Sequence, residues 1–440
     1  MPKVFAARSF ARTLVGFVAG WLGVSCSAPF GAEEEDCSVL AQNLYAKALM
    51  QDVYLWADTV PDIDPARFSG PGAVVAAMRN QDFDHWSGVS SAAPRRDFFD
   101  KGEFFGVGYQ ALSDTTGAIR LSFVHPNSPA ALAGMSRGDT LLEINGKTIA
   151  EIASANLWGT IEGPNEKGFA LTYKVRRSTG AVVELVVLKD TVVVRTVAVS
   201  SVIQQGEDKI AYLLFTGFLG TSERDLREAF AELRPLGITK LILDLRYNGG
   251  GFVSVATDLA SLIVGPPGVG KPFSILAHNK NHSAEDTITP LRREAEALTG
   301  THLVALTGPG TASASELLLN GLKPFMDVKL VGASTHGKPV GGSAWTRCEQ
   351  AISPITFRTL NGEGTGDYFG GIKADCAVPD DLEHLLGDPE EARMKAALAL
   401  LRGEACPAQP DQQLMQLRQS GRGTGLSPIT RGPDDPFGIF

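Results

Sequence analysis

Three textures of apolar and polar positions succeed one another along the chain. Between 33 and 98, Leu40, Leu44, Ala48, Val53 and Leu55 recur at roughly helical spacing, ending in the aromatic cluster Tyr54-Leu55-Trp56. Pro61, Asp62 and Pro65 break that stripe. A second helix is expected over Ala73–Met78, ahead of Phe83 and Trp86. Nothing in this small helical unit points to chemistry, and its expected role is packing against the core.

From about 99 to 190 the runs are short and alternating. Phe104 to Tyr109 and Ile119 to Val124 predict strands, and Ser128-Pro129 opens a short helix that Gly134 closes. Gly138 to Gly146 predicts a strand ending in an Asn-Gly turn. From 191 to 405 the apolar runs lengthen. Strands are expected at Val192–Val194, Ile210–Phe215 and Leu241–Leu245. The amphipathic stretch Glu223 to Leu233, between the last two, makes a β–α–β unit and a largely parallel sheet. Beyond Cys406 a Gln/Pro/Gly/Arg-rich segment has no period and is expected to be disordered.

The third region holds the stretch richest in chemistry. Leu303–Leu306 has strand length, Gly308-Pro309-Gly310 breaks it, and Leu317, Leu318, Gly321, Leu322 and Phe325 follow at helical spacing. Ser313 and Ser315 fall at the helix start, where free N–H groups and the helix dipole favour developing negative charge. A serine there is most often a cap. Lys338, twenty-five positions later between Gly337 and Pro339, offers a base, provided an apolar pocket lowers its pKa from about 10.4 by roughly 3 units. By itself such a residue is more often a solvated loop lysine. Leu241–Leu245 runs into Asn248-Gly249-Gly250-Gly251, which is either a plain turn or a place where backbone approaches a ligand unobstructed.

TASASE around Ser313, HGKP around Lys338 and LILDLRYNGGG from Leu241, in that order, resemble the carboxyl-terminal (tail-specific) processing peptidases. The resemblance implies a crotonase-like α/β protease core at 191–405 with an inserted PDZ domain at 99–190 and the helical unit at 33–98. It implies Ser313 as nucleophile, Lys338 as general base, and the Gly250 and Ala314 N–H groups as oxyanion hole. The Tyr54-Leu55-Trp56 cluster also resembles the opening of exported members. The stretch 99–190 resembles a PDZ domain throughout. Phe105, Gly106, Val107, Gly108 and Tyr109 are then expected to hold a ligand's C-terminal carboxylate, by strand addition; a PDZ-shaped spacer without ligand is the alternative. Protein or peptide substrates with free, apolar C-termini are the implied partners.

Composition supports this and narrows it. With 40 Lys/Arg against 49 Asp/Glu and a net charge of −9, no basic block is dense enough to follow a phosphate backbone, which argues against nucleic acid. Lys3, Arg8 and Arg12 precede the apolar stretch Thr13 to Val24 and small residues to Ala28, the pattern of a secretory leader over 1–28. Leu22 to Cys26 also resembles a bacterial lipoprotein box. Gly23 fits it poorly, so lipidation of Cys26 with membrane attachment and cleavage after Ala28 both stand. A periplasmic location is expected. Export makes Cys37, Cys348, Cys376 and Cys406 disulfide candidates. Cys348–Cys376, flanking one insertion, is the preferred pair, leaving Cys37–Cys406 to join the ends; buried thiols are the alternative. The tail, 406–440, ends in Phe437-Gly438-Ile439-Phe440, a candidate self-ligand or self-cleavage site.

Gly265-Pro-Pro-Gly-Val-Gly270-Lys271 matches a phosphate loop except that Pro272 stands where a hydroxyl is required. No cofactor and no metal are implied. His336, two residues before Lys338, would complete a Ser–His arrangement or line the site, and lining is favoured. Many relatives carry a glutamine four residues after the dyad lysine. Here Gly342 stands there, with Ser343 as a candidate substitute. That departure keeps a second reading alive, a catalytically silent peptide- or ligand-binding protein on the same fold.

Overall fold

The computed structural model describes residues 35–113, 117–407 and the two-residue strand Ser427–Pro428. The expected leader, Cys26, Phe437–Phe440 and nearly all of the tail lie outside the described residues.

The central sheet has six strands in the order Val197–Gln205, Asp208–Phe215, Lys240–Asp244, His302–Thr307, Val328–Gly332 and Cys376–Ala377. The first pair is antiparallel and every other pair parallel. Alternation sorts its side chains. Ala211, Leu213 and Phe215 face the helices Ser222–Leu233, Val253–Val264 and Ala314–Leu322, whereas Ile210, Tyr212 and Leu214 face the helix Ala392–Leu401. Both faces are covered, which is why these strands are nearly continuous apolar runs. The parallel strands end together, at Asp244, Thr307 and Gly332. The loops carrying the candidate chemistry leave from those ends.

Val192 to Val194 does not belong to this sheet. Asp190–Val193 pairs antiparallel with Glu103–Gly106, Phe104 opposite Val192. A short apolar run fixes strand type but carries no information about its partner.

A second sheet orders Tyr109–Ser113, Ile119–Val124, Thr140–Ile144, Ala170–Arg176 and Val182–Leu188, with its own core around Leu121, Ile144, Ile152 and Tyr173. Its Tyr109–Ser113 edge takes up Ser427–Pro428 antiparallel, Ser427 opposite Ser113.

The N-terminal helix, Val39–Asp52, turns a different face inward from the one its leucines predict. Leu40 and Leu44 are about half exposed, while Asn43, Ala46, Leu49 and Met50 are buried. Asn43 tolerates burial because its amide donates to the carbonyls of Pro65 and Phe68. The helix Pro71–Met78 packs on it. Further on, Gly88–Ser91 joins a three-stranded sheet with Gln350–Ser353 and Trp345–Arg347.

Both expected disulfides are corrected: the bonds are Cys37–Cys348 and Cys376–Cys406. Cys348 and Glu349 form a two-residue hairpin turn with φ of 48° and 65°. That turn presents Cys348 to the N-terminal segment. Cys376 lies on the last strand of the central sheet and packs with the end of the helix Ala392–Leu401. Pairing follows proximity in space, which nearness in sequence did not report. Among the described residues no helix is long and apolar enough to cross a membrane.

Candidate active site

The strand His302–Thr307 ends, the chain turns through Gly308–Ala312, and the helix Ala314–Leu322 begins. Ser313 occupies that junction at φ 56°, ψ −115°, a region that costs a non-glycine residue roughly 1–3 kcal/mol. Sharp strained turns of this kind hold nucleophilic serines clear of their own backbone. Ala314 is the first helical residue, so its N–H is one of the donors without an intrahelical partner.

Gly250 lies against this turn. It has φ 104°, and a Cβ placed there would come 2.8 Å from the Ser313 Cβ and 2.9 Å from the Ala314 nitrogen. Only glycine fits. The three residues Gly250, Ser313 and Ala314 are therefore brought together. The Gly250 N–H is nonetheless engaged, donating to Asn248 Oδ1 at 2.9 Å. Asn248 is fully buried, and its carbonyl accepts from Ala312 N–H and the Ser315 hydroxyl. It ties the glycine loop to the serine turn.

Lys338 arrives on the segment after Val328–Gly332. That segment runs beside the serine turn: Ala333 N–H donates to the Thr307 carbonyl at 3.0 Å and His336 N–H to the Thr311 carbonyl at 2.9 Å. Glu316, on the first turn of the serine helix and fully buried, completes the junction. Its Oε2 accepts the N–H groups of Ser313 (3.0 Å) and Lys338 (2.8 Å), and its Oε1 those of Gly337 (2.7 Å) and the Thr335 hydroxyl (2.5 Å). Burial raises the Glu316 pKa, and the four donors work against that rise.

The Lys338 side chain is almost wholly buried. Burial, and then the nearby Arg95 guanidinium, bring its pKa down to about 7, with Asp84 and Glu316 pulling the other way. A neutral amine is thus available near physiological pH. His336 is different. Its Nε2 accepts from Trp86 Nε1 at 3.2 Å, and its ring also bonds to the Pro309 carbonyl. Burial, then Lys338, lower its pKa to about 4. These bonds to Trp86 and Pro309 favour the lining role expected for His336.

Phe105 to Tyr109 connects Glu103–Gly106 to Tyr109–Ser113 in the second sheet. Val107 and Tyr109 are buried. The Val107 carbonyl accepts from Ala130, and that of Gly108 from His125 and Ser128. Gly108, at φ 88°, leaves no room for a Cβ, which would lie 2.4 Å from the Ser128 Cβ.

Residues 209–377 match peptidase family S41, 45–88 match the peptidase S41 N-terminal domain, and 122–156 match a PDZ domain. Residues 209–377 thus carry a peptidase family S41 domain. It is 27% identical over 271 residues to the carboxy-terminal processing protease CtpA of Bacillus subtilis (strain 168), covering 61% of this chain and 55% of that one. A "Probable CtpA-like serine protease" of Staphylococcus aureus is 27% identical over 279 residues, covering 63% and 53%. The chain spans about half the length of these curated relatives. In fold it is similar to a crystallised protein from Bacteroides fragilis assigned to the S41 proteases, with TM-score 0.69 and 23% identity over 82% of this chain and 97% of that one. It is also similar to the photosystem II D1 C-terminal processing protease, with TM-score 0.50 and 18% identity over 82% and 97%.

The departure at Gly342 has a steric reason. A Cβ there would stand 2.0 Å from the Pro354 carbonyl oxygen, so a glutamine has no place. Ser343 is exposed. The residues that sequence reasoning missed are Glu316, Asn248, Asp84, Trp86 and Arg95. The first has a signal, Ser313-x-x-Glu316, but that pattern also spells a helix cap. The last three belong to the unit from which only packing was expected.

Proposed function

We propose that the chain is an exported serine endopeptidase that cleaves protein substrates near apolar C-termini held by its PDZ domain. Ser313 Oγ attacks the scissile carbonyl carbon while Lys338 Nζ takes the hydroxyl proton. The ammonium then returns that proton to the departing amine as the C–N bond breaks. Water, deprotonated by the same amine, hydrolyses the acyl-serine. The Ala314 N–H receives the oxyanion; Gly250 joins it once its N–H leaves Asn248. One such donor is typically worth about 3 kcal/mol.

The observation that carries this reading is the shared Glu316 carboxylate, which grips the backbone of the nucleophile and the base together. The buried lysine with a pKa of about 7 supports it. For peptide capture the support is the sheet-edge strand Tyr109–Ser113, which pairs antiparallel with the two-residue strand Ser427–Pro428. Export is supported by the leader pattern and by two disulfides.

The engaged Gly250 N–H favours one second reading, a silent binding protein on the same fold. Digestion of unfolded casein and of a peptide ending in small apolar residues separates the two. Cleavage by the wild type, lost in Ser313→Ala, supports the peptidase. Tail binding without cleavage by the wild type supports the binding protein.

A further inference from the structure

We infer that Trp86 of the N-terminal segment is the positioning residue for Lys338, a role that rests on Lys338 being the general base. The indole ring covers the amine: Lys338 Nζ lies 5.6 Å from the ring centroid. The same indole donates from Nε1 to His336, two residues before the lysine. One side chain thus touches the lysine's charged end and braces the segment from which it projects.

Trp86 is itself held at several points. Its N–H and that of Ser87 both donate to Asp84 Oδ1 at 2.9 Å, and Asp84, nearly fully buried, is fixed by the Tyr54 hydroxyl at 2.8 Å. The Ser87 hydroxyl accepts from Ile355 N–H at 2.8 Å. Directly after it, Gly88–Ser91 pairs with Gln350–Ser353, whose hairpin is bonded through Cys37–Cys348. A ring anchored this firmly can hold a flexible lysine in one place.

Lysine brings four side-chain torsions, and the glutamine that orients it elsewhere in the family has no room at Gly342. The ring limits those torsions and keeps water from one side of Nζ. The charged and titratable groups facing that nitrogen are Arg95, from the short helix Ala92–Arg96, Asp84, Glu316 from the serine helix, and His336 on its own segment. Removing the indole opens the amine to solvent and leaves these charges in place. Because burial is the leading cause of the lowered pKa, the lysine then titrates higher.

The test compares wild type, Trp86→Phe and Trp86→Ala by pH profile of kcat/KM and, independently of turnover, by the pH dependence of Lys338 modification by a neutral acylating reagent, read by mass spectrometry. Thermal midpoints are measured on all three. Trp86→Ala is expected to lose at least tenfold in kcat/KM at pH 7 and to move both profiles upward by one pH unit or more, so that much activity returns at high pH. Trp86→Phe keeps a ring face and is expected to stay within about threefold with profiles near wild type. An unmoved modification profile in Trp86→Ala, or a Phe variant as impaired as Ala, overturns the positioning role. If Lys338→Ala cleaves as well as wild type, the catalytic reading itself fails, whatever the modification profiles show.

Discussion

Ser313 and Lys338 donate their backbone N–H groups to the same atom, Glu316 Oε2, at 3.0 and 2.8 Å. The proposed nucleophile and base lie on separate loops of a parallel sheet, and one buried carboxylate ties their backbones together. Glu316→Gln replaces an oxygen with an amide that presents hydrogens to existing donors. Its expected effect is a loss of about 100-fold in kcat, or about 2.7 kcal/mol at 1.36 kcal/mol per decade. Kinetics with a thermal melt checks this; a variant that stays folded and fully active would remove the clamp from the account.

Burying Lys338 works against the fold. Its folded pKa is lowered to about 7, whereas in the unfolded chain it is about 10.4. Between these values the unfolded chain binds the extra proton, so this group's contribution to stability rises with pH across that window and is least favourable below about pH 7. Lys338→Met is therefore expected to be inactive yet more stable at pH 7, by about 1–4 kcal/mol. Denaturant titrations at pH 7 and pH 10 should show the gain shrinking at the higher pH.

Gly342→Gln introduces the glutamine expected from the resemblance and is expected to damage the protein. The new Cβ meets the Pro354 carbonyl at 2.0 Å, and overpacking of this kind costs about 1–3 kcal/mol. A lowered melting temperature with no gain in rate is the expected result.

Arg137 reaches from the second sheet into the core, bonding the Tyr247 hydroxyl at 2.6 Å and Asp380 at 2.9 Å. Arg246, fully buried, shares Asp380 and pairs with Asp244 and Glu391. Burial works to raise the Asp380 pKa, but Arg393, Arg246 and Arg137 outweigh it and hold the carboxyl well below the usual range. Its contribution to stability is present above about pH 4 and is lost as pH falls through the folded value. Arg137→Met is expected to destabilise by roughly 3 kcal/mol and to shift acid unfolding to higher pH, measured by circular dichroism.

What could be read from the sequence was what is local. Ser313, the glycine run at Gly250 and the helix Ser222–Leu233 are spelled out within a few residues each, and the parallel sheet follows from its runs of apolar residues. Trp86 and His336 stand 250 positions apart, and no period or motif links them. Leu40 and Leu44 outweighed Asn43 in the hydrophobic pattern, although Asn43 is buried because two distant carbonyls receive its amide. The cysteines gave the number of bonds but not their pairing, which depends on where the Cys348 turn projects. Glu316 stands in TASASE where a helix cap would also place it, and its second role needs the lysine segment in place.

The most direct measurement is the single-turnover acylation of Ser313 by an activated ester ending in small apolar residues, followed across pH 5 to 10 in wild type and Lys338→Ala. The account predicts a wild-type rate that rises about tenfold per pH unit below a midpoint near 7 and then levels, with no such rise in Lys338→Ala. A wild-type profile flat across that range, or acylation of Lys338→Ala at the wild-type rate, would contradict it.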